Sequence, residues 1–446
     1  MLTARRQVLD LLLVFVLALV LVHTTAAGRV LDFEELGAIR LLDDSATEWH
    51  NGALLNSTLN SLHEGDVFII PNTTFSLMGG VLVSESLTKV VFQLDGTLSF
   101  SQNTEAWPRS SSNGRVLECV SFNNLEDVVF TSSGGHDNRG TLQGNGKVWW
   151  GAIQYLLHQE DRPRLFHIAK SKNIVFEKIR LINSPYWTFW AQNCNGLVVR
   201  YSEIDVRWDQ ADKHTYLDLQ AFNTDGFDVT GQYVHMHDVT VWNDDDCICV
   251  KDNSQHMLFE RITASGLGLV VGSIGSSVVH NITFKDAVMH NTVKGIYMKT
   301  RWSDEAPPGE NVVGITDILY QNITMYEPSQ FAVWIGPAQQ SEAGSHCSLI
   351  WPHFDARCEI TGYHTWRNIV LRDIFVYGAK QSPGVIMGNA SNPMTGVKLE
   401  NVVFSNFGQR VKPWGQDYFC SIRGVKGESF ASEPNPGCLS VIQNAE

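Results

Sequence analysis

The sequence has little positive charge for its size, and this excludes one large group of partners. Its 33 lysine and arginine residues are outnumbered by 47 aspartate and glutamate residues, which gives a formal net charge of −14 at pH 7. Binding to nucleic acid depends on a basic face that neutralises phosphates, so we expect no nucleic-acid partner. Hydrophobic residues make up 43% and charged residues 18%, a balance typical of a folded chain.

Cysteine pairs at the spacing of a zinc site are also missing. None of the eight cysteines lies in a Cys-x-x-Cys motif, so a structural zinc site is not expected. Cys347 with Cys358, and Cys420 with Cys438, are close enough along the chain for local disulfides. Spacing alone leaves their connectivity open.

Long apolar runs are absent except at the N-terminus. Residues 11–22 are all apolar, Arg5 and Arg6 precede them, and small residues follow up to Ala27. This pattern predicts a secretory signal peptide over residues 1–27, and therefore a secreted, extracellular protein with no membrane association after cleavage. A signal anchor is the alternative, but the run is shorter than the ~20 residues that span a membrane. Export favours disulfides and glycosylation. Asn-x-Ser/Thr triplets occur at Asn56, Asn72, Asn281, Asn322 and Asn389.

Helical periodicity is confined to residues 46–62, which follow the N-cap candidates Asp44 and Ser45 and predict a short capping helix. The rest of the chain repeats one phrase, with apolar residues at positions i, i+2, i+5 and i+7. Full copies are Ile174/Phe176/Ile179/Leu181, Val234/Met236/Val239/Val241, Ile282/Phe284/Ala287/Met289, Ile318/Tyr320/Ile323/Met325, Ile369/Leu371/Ile374/Val376 and Val397/Leu399/Val402/Phe404. A spacing of two is strand alternation, and the additional residue in the middle marks a corner between short strands.

The distance between copies, in the twenties of residues, indicates a solenoid built from strands. Each coil buries its apolar face by stacking on the next at ~4.8 Å. The sequence therefore predicts an all-β fold, a right-handed parallel β-helix, as one domain over residues 28–446. A leucine-rich repeat would need a Leu-x-x-Leu-x-Leu phrase, which is missing.

Three aspartates recur at about the period of one coil. Asp245 and Asp246 follow Asp225 by 20 and 21 residues. Glycosidic bonds are usually cleaved by two carboxyl groups, and groups one coil apart fall in the ~6.5–9.5 Å range that admits a water and leads to inversion. Clustered carboxylates raise one another's pKa, which keeps one protonated as an acid. Asp228, Asp238 and Asp252 are instead expected to cap turns in solvent.

The motifs that contain these aspartates resemble those of glycoside hydrolase family 28, the polygalacturonase family. Asn223-Thr224-Asp225-Gly226 and Asp245-Asp246-Cys247 match two of its motifs in full. The resemblance implies that Asp245 is the general acid, and that Asp225 and Asp246 position and activate water. It implies a polysaccharide substrate of the pectin type, galacturonan or rhamnogalacturonan, and no metal or organic cofactor.

Two positions depart from the family pattern. The histidine of its Gly-His-Gly motif falls on Leu267, and the arginine of its Arg-Ile-Lys motif falls on Tyr297, followed by Lys299. Tyrosine lacks the bidentate contact that a guanidinium makes with a carboxylate, although Arg301 lies on the same strand face as Lys299. The predicted substrate-binding residues are Asn223, Tyr297, Lys299, Arg301 and Trp302.

Three functions remain open at this point. The first is a secreted, monomeric, inverting hydrolase of pectin-type polysaccharide. The second is a uronate lyase on the same scaffold, which needs a basic residue to abstract a proton. The third is a carbohydrate-binding β-helix that lost catalysis through Leu267 and Tyr297.

Overall fold

A computed structural model describes residues 28–41, 44–135, 138–151, 161–207, 221–301, 312–339, 347, 358, 360–381, 383–407 and 417–442. The predicted signal peptide and Trp302 lie outside these ranges. In the described part of the chain, no helix has the length and apolar character needed to cross a membrane.

The described residues form 27 strands, one α-helix and a short 3-10 helix. The helices are α1 (Ser45–Leu59) and the 3-10 turn Gly146–Val148. The strands of the first half are β1 (Val30–Asp32), β2 (Val67–Ile70), β3 (Thr74–Leu77), β4 (Val81–Val83), β5 (Val91–Leu94), β6 (Thr97–Phe100), β7 (Val120–Asn123), β8 (Val129–Thr131), β9 (Gly140–Gln143), β10 (Phe166–Ala169), β11 (Lys172–Glu177), β12 (Ile179–Ile182), β13 (Phe189–Arg200) and β14 (Glu203–Asp205). Those of the second half are β15 (Phe227–Trp242), β16 (Asp246–Ser265), β17 (Gly268–Ile274), β18 (Val278–His290), β19 (Ile296–Thr300), β20 (Val313–Tyr326), β21 (Val333–Pro337), β22 (His364–Tyr377), β23 (Gly384–Ile386), β24 (Met394–Ser405), β25 (Tyr418–Cys420), β26 (Val425–Phe430) and β27 (Ser440–Ile442).

The strands pair in parallel, each with the equivalent strand of the next coil. One face, here called the front ladder, runs through β4, β7, β10, the start of β13, the start of β15, the start of β16, β17, β19, β21, β23 and β25. The predicted right-handed parallel β-helix is confirmed. A right-twisted strand returns to a parallel neighbour by a right-handed crossover, which explains the hand of the coil.

The repeated phrase places its apolar residues inside the coil. In the copy within β18, Ile282, Phe284, Ala287 and Met289 are all buried, and the ladder aligns Ile282 with Ile318 of the next coil. The additional residue of that copy, Asp286, has a φ of 54°. The αL conformation turns the chain, and aspartate and asparagine tolerate it better than most residues do. The predicted corners are therefore confirmed.

The capping helix begins at Ser45 and ends three residues earlier than predicted. Asp44 is its N-cap, because one carboxylate oxygen accepts from the Thr47 N–H at 2.9 Å. Trp49 is 45% exposed, whereas Leu55 and Leu59 are buried against the first coils. Helix α1 thus covers the end of the solenoid with the face that carries Leu55 and Leu59.

The cysteine predictions are confirmed for one pair. Cys347 and Cys358 form a disulfide. Cys420 and Cys438 are adjacent but unbonded, with the Cys438 N–H donating to the Cys420 Sγ at 3.0 Å. The second predicted disulfide is therefore not formed in this structure.

Candidate active site

The three predicted catalytic aspartates lie at the amino ends of two neighbouring strands of the front ladder. Asp225 precedes β15 by two residues, and Asp246 is the first residue of β16. The Gly226 N–H donates to the Asp246 carbonyl oxygen at 2.8 Å, so the two coils stack directly. A Cβ at Gly226 would lie 2.3 Å from the Cys247 carbonyl oxygen, and only glycine permits this approach.

A buried asparagine makes the bend that brings Asp245 and Asp246 to one side. Asn243 Nδ2 donates to the carbonyl oxygens of Thr224, Asp245 and Asp246, each at 2.9 Å. The register of β16 against β17 also shifts just after Asp246. Consecutive strand residues normally point to opposite faces, so this irregularity is what lets both carboxylates share a site with Asp225.

The aspartates form a compact, buried cluster. An oxygen from each of Asp225, Asp245 and Asp246 lies within 4.8 Å of the other two, and the residues are 2–5% exposed. These nearest oxygens are closer than the ~6.5–9.5 Å separation between carboxyl groups that is typical of inversion. The stereochemical outcome stays a prediction.

Each carboxylate of the cluster has its own partners. Asp245 accepts from the Asn223 N–H at 3.1 Å and from the Asp246 N–H at 2.8 Å. Lys299 Nζ donates to Asp246 Oδ2 at 2.8 Å. Lys251 Nζ lies 3.5 Å from Asp225 Oδ2. The site therefore contains two ammonium groups among its carboxylates.

These partners separate the proton affinities of Asp245 and Asp246. Burial, and then the negative charge of Asp246, raise the pKa of Asp245 to about 6. Burial also acts to raise the pKa of Asp246, but the ammonium groups of Lys299 and Lys251 outweigh it and hold that pKa below its ordinary value. One carboxyl group is suited to donate a proton, and its neighbour to remain ionised.

Asp225 is shifted in the same direction as Asp245. Burial, followed by the charges of Asp228 and Asp245, raises the pKa of Asp225 well above its ordinary value, against the opposing charge of Lys251. Of the two carboxylates that the resemblance assigns to water, Asp246 is therefore the one held ionised.

Sequence reasoning missed two charged residues of this site. Asp228 was expected in a solvated turn, and that expectation is wrong, because Asp228 is fully buried and its Oδ1 lies 2.8 Å from Lys251 Nζ. Lys251 also lies 4.8 Å above the Trp187 ring. Strand alternation was the available signal, since buried Phe227 points inward and Asp228 therefore outward. Asp252 does cap a turn, accepting from the Ser277 N–H at 3.1 Å.

The predicted substrate-binding residues differ in their surroundings. Asn223 and Lys299 contact the aspartates directly. Tyr297 is only 2% exposed and lies beneath Lys299, whose Nζ is 4.3 Å from its ring centre, and its contact with substrate stays a prediction. Arg301 is exposed at the rim, 3.9 Å from Asp252. Trp302 lies outside the described residues.

The carboxylate oxygens of the cluster are close enough together to bind a metal ion. Two lysine ammonium groups, however, already balance their negative charge. Lys299 is bonded to Asp246, and Lys251 lies between Asp225 and Asp228. A metal ion would have to compete with both ammonium groups, so these residues do not favour metal binding.

The model of Glycosyl hydrolases family 28 matches residues 65–412, which include the entire aspartate cluster. The chain belongs to this family. Two curated relatives are an exopolygalacturonase of Cochliobolus carbonum, 27% identical over 268 residues, and endo-xylogalacturonan hydrolase A of Aspergillus tubingensis, 29% identical over 262 residues. Each alignment covers 58% of this chain, and 55% and 60% of the respective relative. This family 28 chain thus spans little more than half the length of the curated relatives it matches.

Solved structures of similar fold cover more of the chain. The endo-xylogalacturonan hydrolase from Aspergillus tubingensis aligns over 93% of this chain and 99% of that structure, with a TM-score of 0.58 and 21% identity. The polygalacturonase from Erwinia carotovora ssp. carotovora aligns over 91% of this chain and 98% of that structure, with a TM-score of 0.64 and 17% identity. At these identities the likeness concerns the β-helix fold of this family 28 chain.

Proposed function

We propose that this family 28 chain is an inverting glycoside hydrolase of pectin-type polysaccharide. The observation that carries the proposal is the opposite pKa shift of two adjacent carboxyl groups, with Asp245 raised to about 6 and Asp246 lowered. Glycoside hydrolysis needs this combination, a protonated acid for the leaving oxygen and an ionised base for water.

In the proposed reaction, Asp245 donates its proton to the glycosidic oxygen as the bond to the anomeric carbon breaks. Asp246 accepts a proton from the attacking water, and Asp225 helps to hold that water. The Asn223 N–H holds the Asp245 carboxyl group in place at 3.1 Å. Lys299 keeps Asp246 ionised and, being 13% exposed, retains limited access to a hydroxyl or carboxylate of the sugar.

A screen of glycans tests the activity and its substrate together. Release of reducing ends is measured on polygalacturonate, rhamnogalacturonan, xylogalacturonan and uncharged polysaccharides, and we expect release from at least one pectic backbone. Xylogalacturonan is included because one relative is named as its hydrolase. The anomer formed first, followed by NMR, reports inversion. Release confined to uncharged glycans would contradict the substrate class.

A lyase is not favoured. Elimination requires a basic side chain free to abstract a proton, whereas Lys299 donates to Asp246 and Lys251 is engaged with Asp225 and Asp228. An unsaturated product that absorbs in the ultraviolet, formed in proportion to added calcium, would identify a lyase.

The position of the aspartates depends on Asn243, and this gives a further prediction. Asn243→Ala should lower the free energy of unfolding by about 1–3 kcal/mol, because three buried carbonyl groups lose a shared donor. It should also lower kcat, since Asp245 and Asp246 lose the bend that aligns them. Thermal unfolding and initial rates measure the two effects. The matched control is Asn368→Ala, which removes an exposed bond to Asp317 and should leave the rate unchanged; equal rate losses in both variants would contradict the role of Asn243.

Secretion, the single domain over residues 28–446 and the monomeric state stay predictions from the sequence, and we propose them together with the activity. A polysaccharide is the one partner that the proposed chemistry requires.

A further inference from the structure

Lys294 is a fully buried lysine beside the catalytic aspartates. It is 0% exposed, and its Nζ makes no hydrogen bond within the described part of the chain. That nitrogen lies 4.6 Å from the ring centre of Tyr297 and 5.9 Å from that of Trp334. A buried ammonium group without a carboxylate partner is costly, so its presence at an active site calls for an explanation.

The backbone places Lys294 in the same row as Asp245. The Leu267 N–H donates to the Asp245 carbonyl oxygen at 2.7 Å, and the Lys294 N–H donates to the Leu267 carbonyl oxygen at 3.1 Å. The three residues therefore stack on successive coils. At ~4.8 Å per coil, the backbone of Lys294 is roughly 10 Å from that of Asp245.

The charged groups around Lys294 come from its own coil, which holds Lys299, and from the coil of Asp245 and Asp246. Lys299 Nζ lies 4.3 Å from the centre of the Tyr297 ring that Lys294 also contacts, and it donates to Asp246. The Tyr297 hydroxyl accepts from the Gln339 N–H at 3.0 Å. Burial, followed by the charge of Lys299, lowers the pKa of Lys294 to about 7, while Asp246 and Asp245 act in the opposite direction.

We propose that Lys294 is a positioning residue of this active site, whose change of charge with pH alters the protonation of Asp245. A charged Lys294 stabilises the ionised form of Asp245 and so lowers the pKa of the proton donor. Leu267, which stands between them in the row, is uncharged and half-buried, so it adds no charge that would oppose the interaction of Lys294 with Asp245. The proposal rests on the proposed function only in taking Asp245 as the donor.

The pH profile of the reaction tests this role. Removing the charge with Lys294→Met should move the alkaline limb of kcat/KM, where Asp245 loses its proton, upward by about one pH unit. The matched control is Lys285→Met, which removes a lysine paired with Glu260 on another face of the coil. That control should leave the limb in place. A merely structural lysine would alter the height of the profile and leave its limb unmoved.

Thermal unfolding provides a readout that needs no substrate. An unfolded lysine titrates near ~10.4, and folded Lys294 near about 7. Between these values the unfolded state binds more protons, so the stability of the wild type rises with pH. Lys294→Met should therefore raise Tm most at or below pH 7, and the gain should shrink towards pH ~10. If the methionine variant does not accumulate, Lys294→Gln serves in its place.

A double-mutant cycle of Tm with Lys294→Met and Asp245→Asn, measured at several pH values, tests the coupling itself. We expect the two changes to be non-additive around pH 6–7, where Lys294 is charged and Asp245 ionises, and additive at pH ~10, where Lys294 is neutral. An additive cycle throughout would overturn the proposal, whether or not any glycan is cleaved. If the Tm cycle is non-additive but the alkaline limb of kcat/KM does not move in Lys294→Met, the role of Lys294 in the reaction is overturned. Failure of the wild type on every glycan would instead count against the proposed function alone.

Discussion

Asp245→Asn should lower kcat by roughly 10³-fold on a pectic polysaccharide, because general acid catalysis typically contributes 10²–10⁴-fold. The amide is far too weak an acid to protonate the glycosidic oxygen, yet it keeps the size of the carboxyl group and its oxygen still accepts from the Asn223 N–H. The KM should change little, since the loss concerns the transition state. Initial rates of reducing-end release measure the effect.

The leaving group distinguishes loss of the acid from loss of the fold. An aryl glycoside with an acidic phenol needs little protonation, so Asp245→Asn should retain much more activity on it than on polysaccharide. The matched control is Asp317→Asn, an exposed corner aspartate that accepts from Asn368 at 2.8 Å, and it should cleave both substrates normally. Undiminished hydrolysis of polysaccharide by Asp245→Asn would remove Asp245 from the mechanism.

The third function considered from the sequence, a carbohydrate-binding β-helix without catalysis, makes a separate prediction. The wild type would then bind pectic oligosaccharides and release no reducing ends from any of them. The structure gives Asp245 and Asp246 opposite pKa shifts, which a binding surface does not require.

Lys299→Met is expected to affect stability and the acid limb of the pH profile together. Lys299 is bonded to Asp246, and both groups are largely buried, with 13% and 2% exposed. Breaking one side of a buried ion pair typically costs about 3 kcal/mol or more. The pKa of Asp246 should also rise without its ammonium partner, so the base is lost at a higher pH and the acid limb of kcat/KM moves upward.

Two further variants show whether these effects come from the loss of the Lys299–Asp246 pair. Lys299→Met combined with Asp246→Asn should recover part of the stability, because no unpaired carboxylate remains, while activity stays low. The control Lys380→Met removes an exposed pair with Glu327 and should cost less than about 1 kcal/mol. An unmoved acid limb in Lys299→Met would show that Asp246 does not depend on Lys299 for its ionisation.

The fold was largely predictable because its signal is local. Alternation of apolar residues within a short phrase identifies each strand, and the period of the phrase identifies the stacking. The corner at Asp286 follows from the same spacing, and its φ of 54° confirms it. Helix α1 was predicted from Asp44 and periodicity, and in the structure it buries Leu55 and Leu59 while Trp49 is exposed. Which face of a short helix is buried depends on the coils it contacts.

The candidate site was predictable only in its motif residues. Asp225, Asp245 and Asp246 were predicted from motif and period, and the structure brings them together. Tyr297 lies two residues before Lys299 in the motif, yet in the structure it is buried beneath that lysine. A motif gives the order of residues along one strand. The exposure of each side chain depends on which residues of the neighbouring coils pack against it.

The sequence by itself determined the solenoid, the family and the three carboxylates, because each can be recognised from the spacing of residues that are near one another in the chain. Only the tertiary structure decided their protonation. That depends on Lys251 and Lys299, which contact the aspartates, Lys299 from a position 53 residues away from Asp246. We propose that it also depends on buried Lys294. Electrostatic energy depends on distance and burial in three dimensions, and neither quantity can be obtained from the order of residues in one chain.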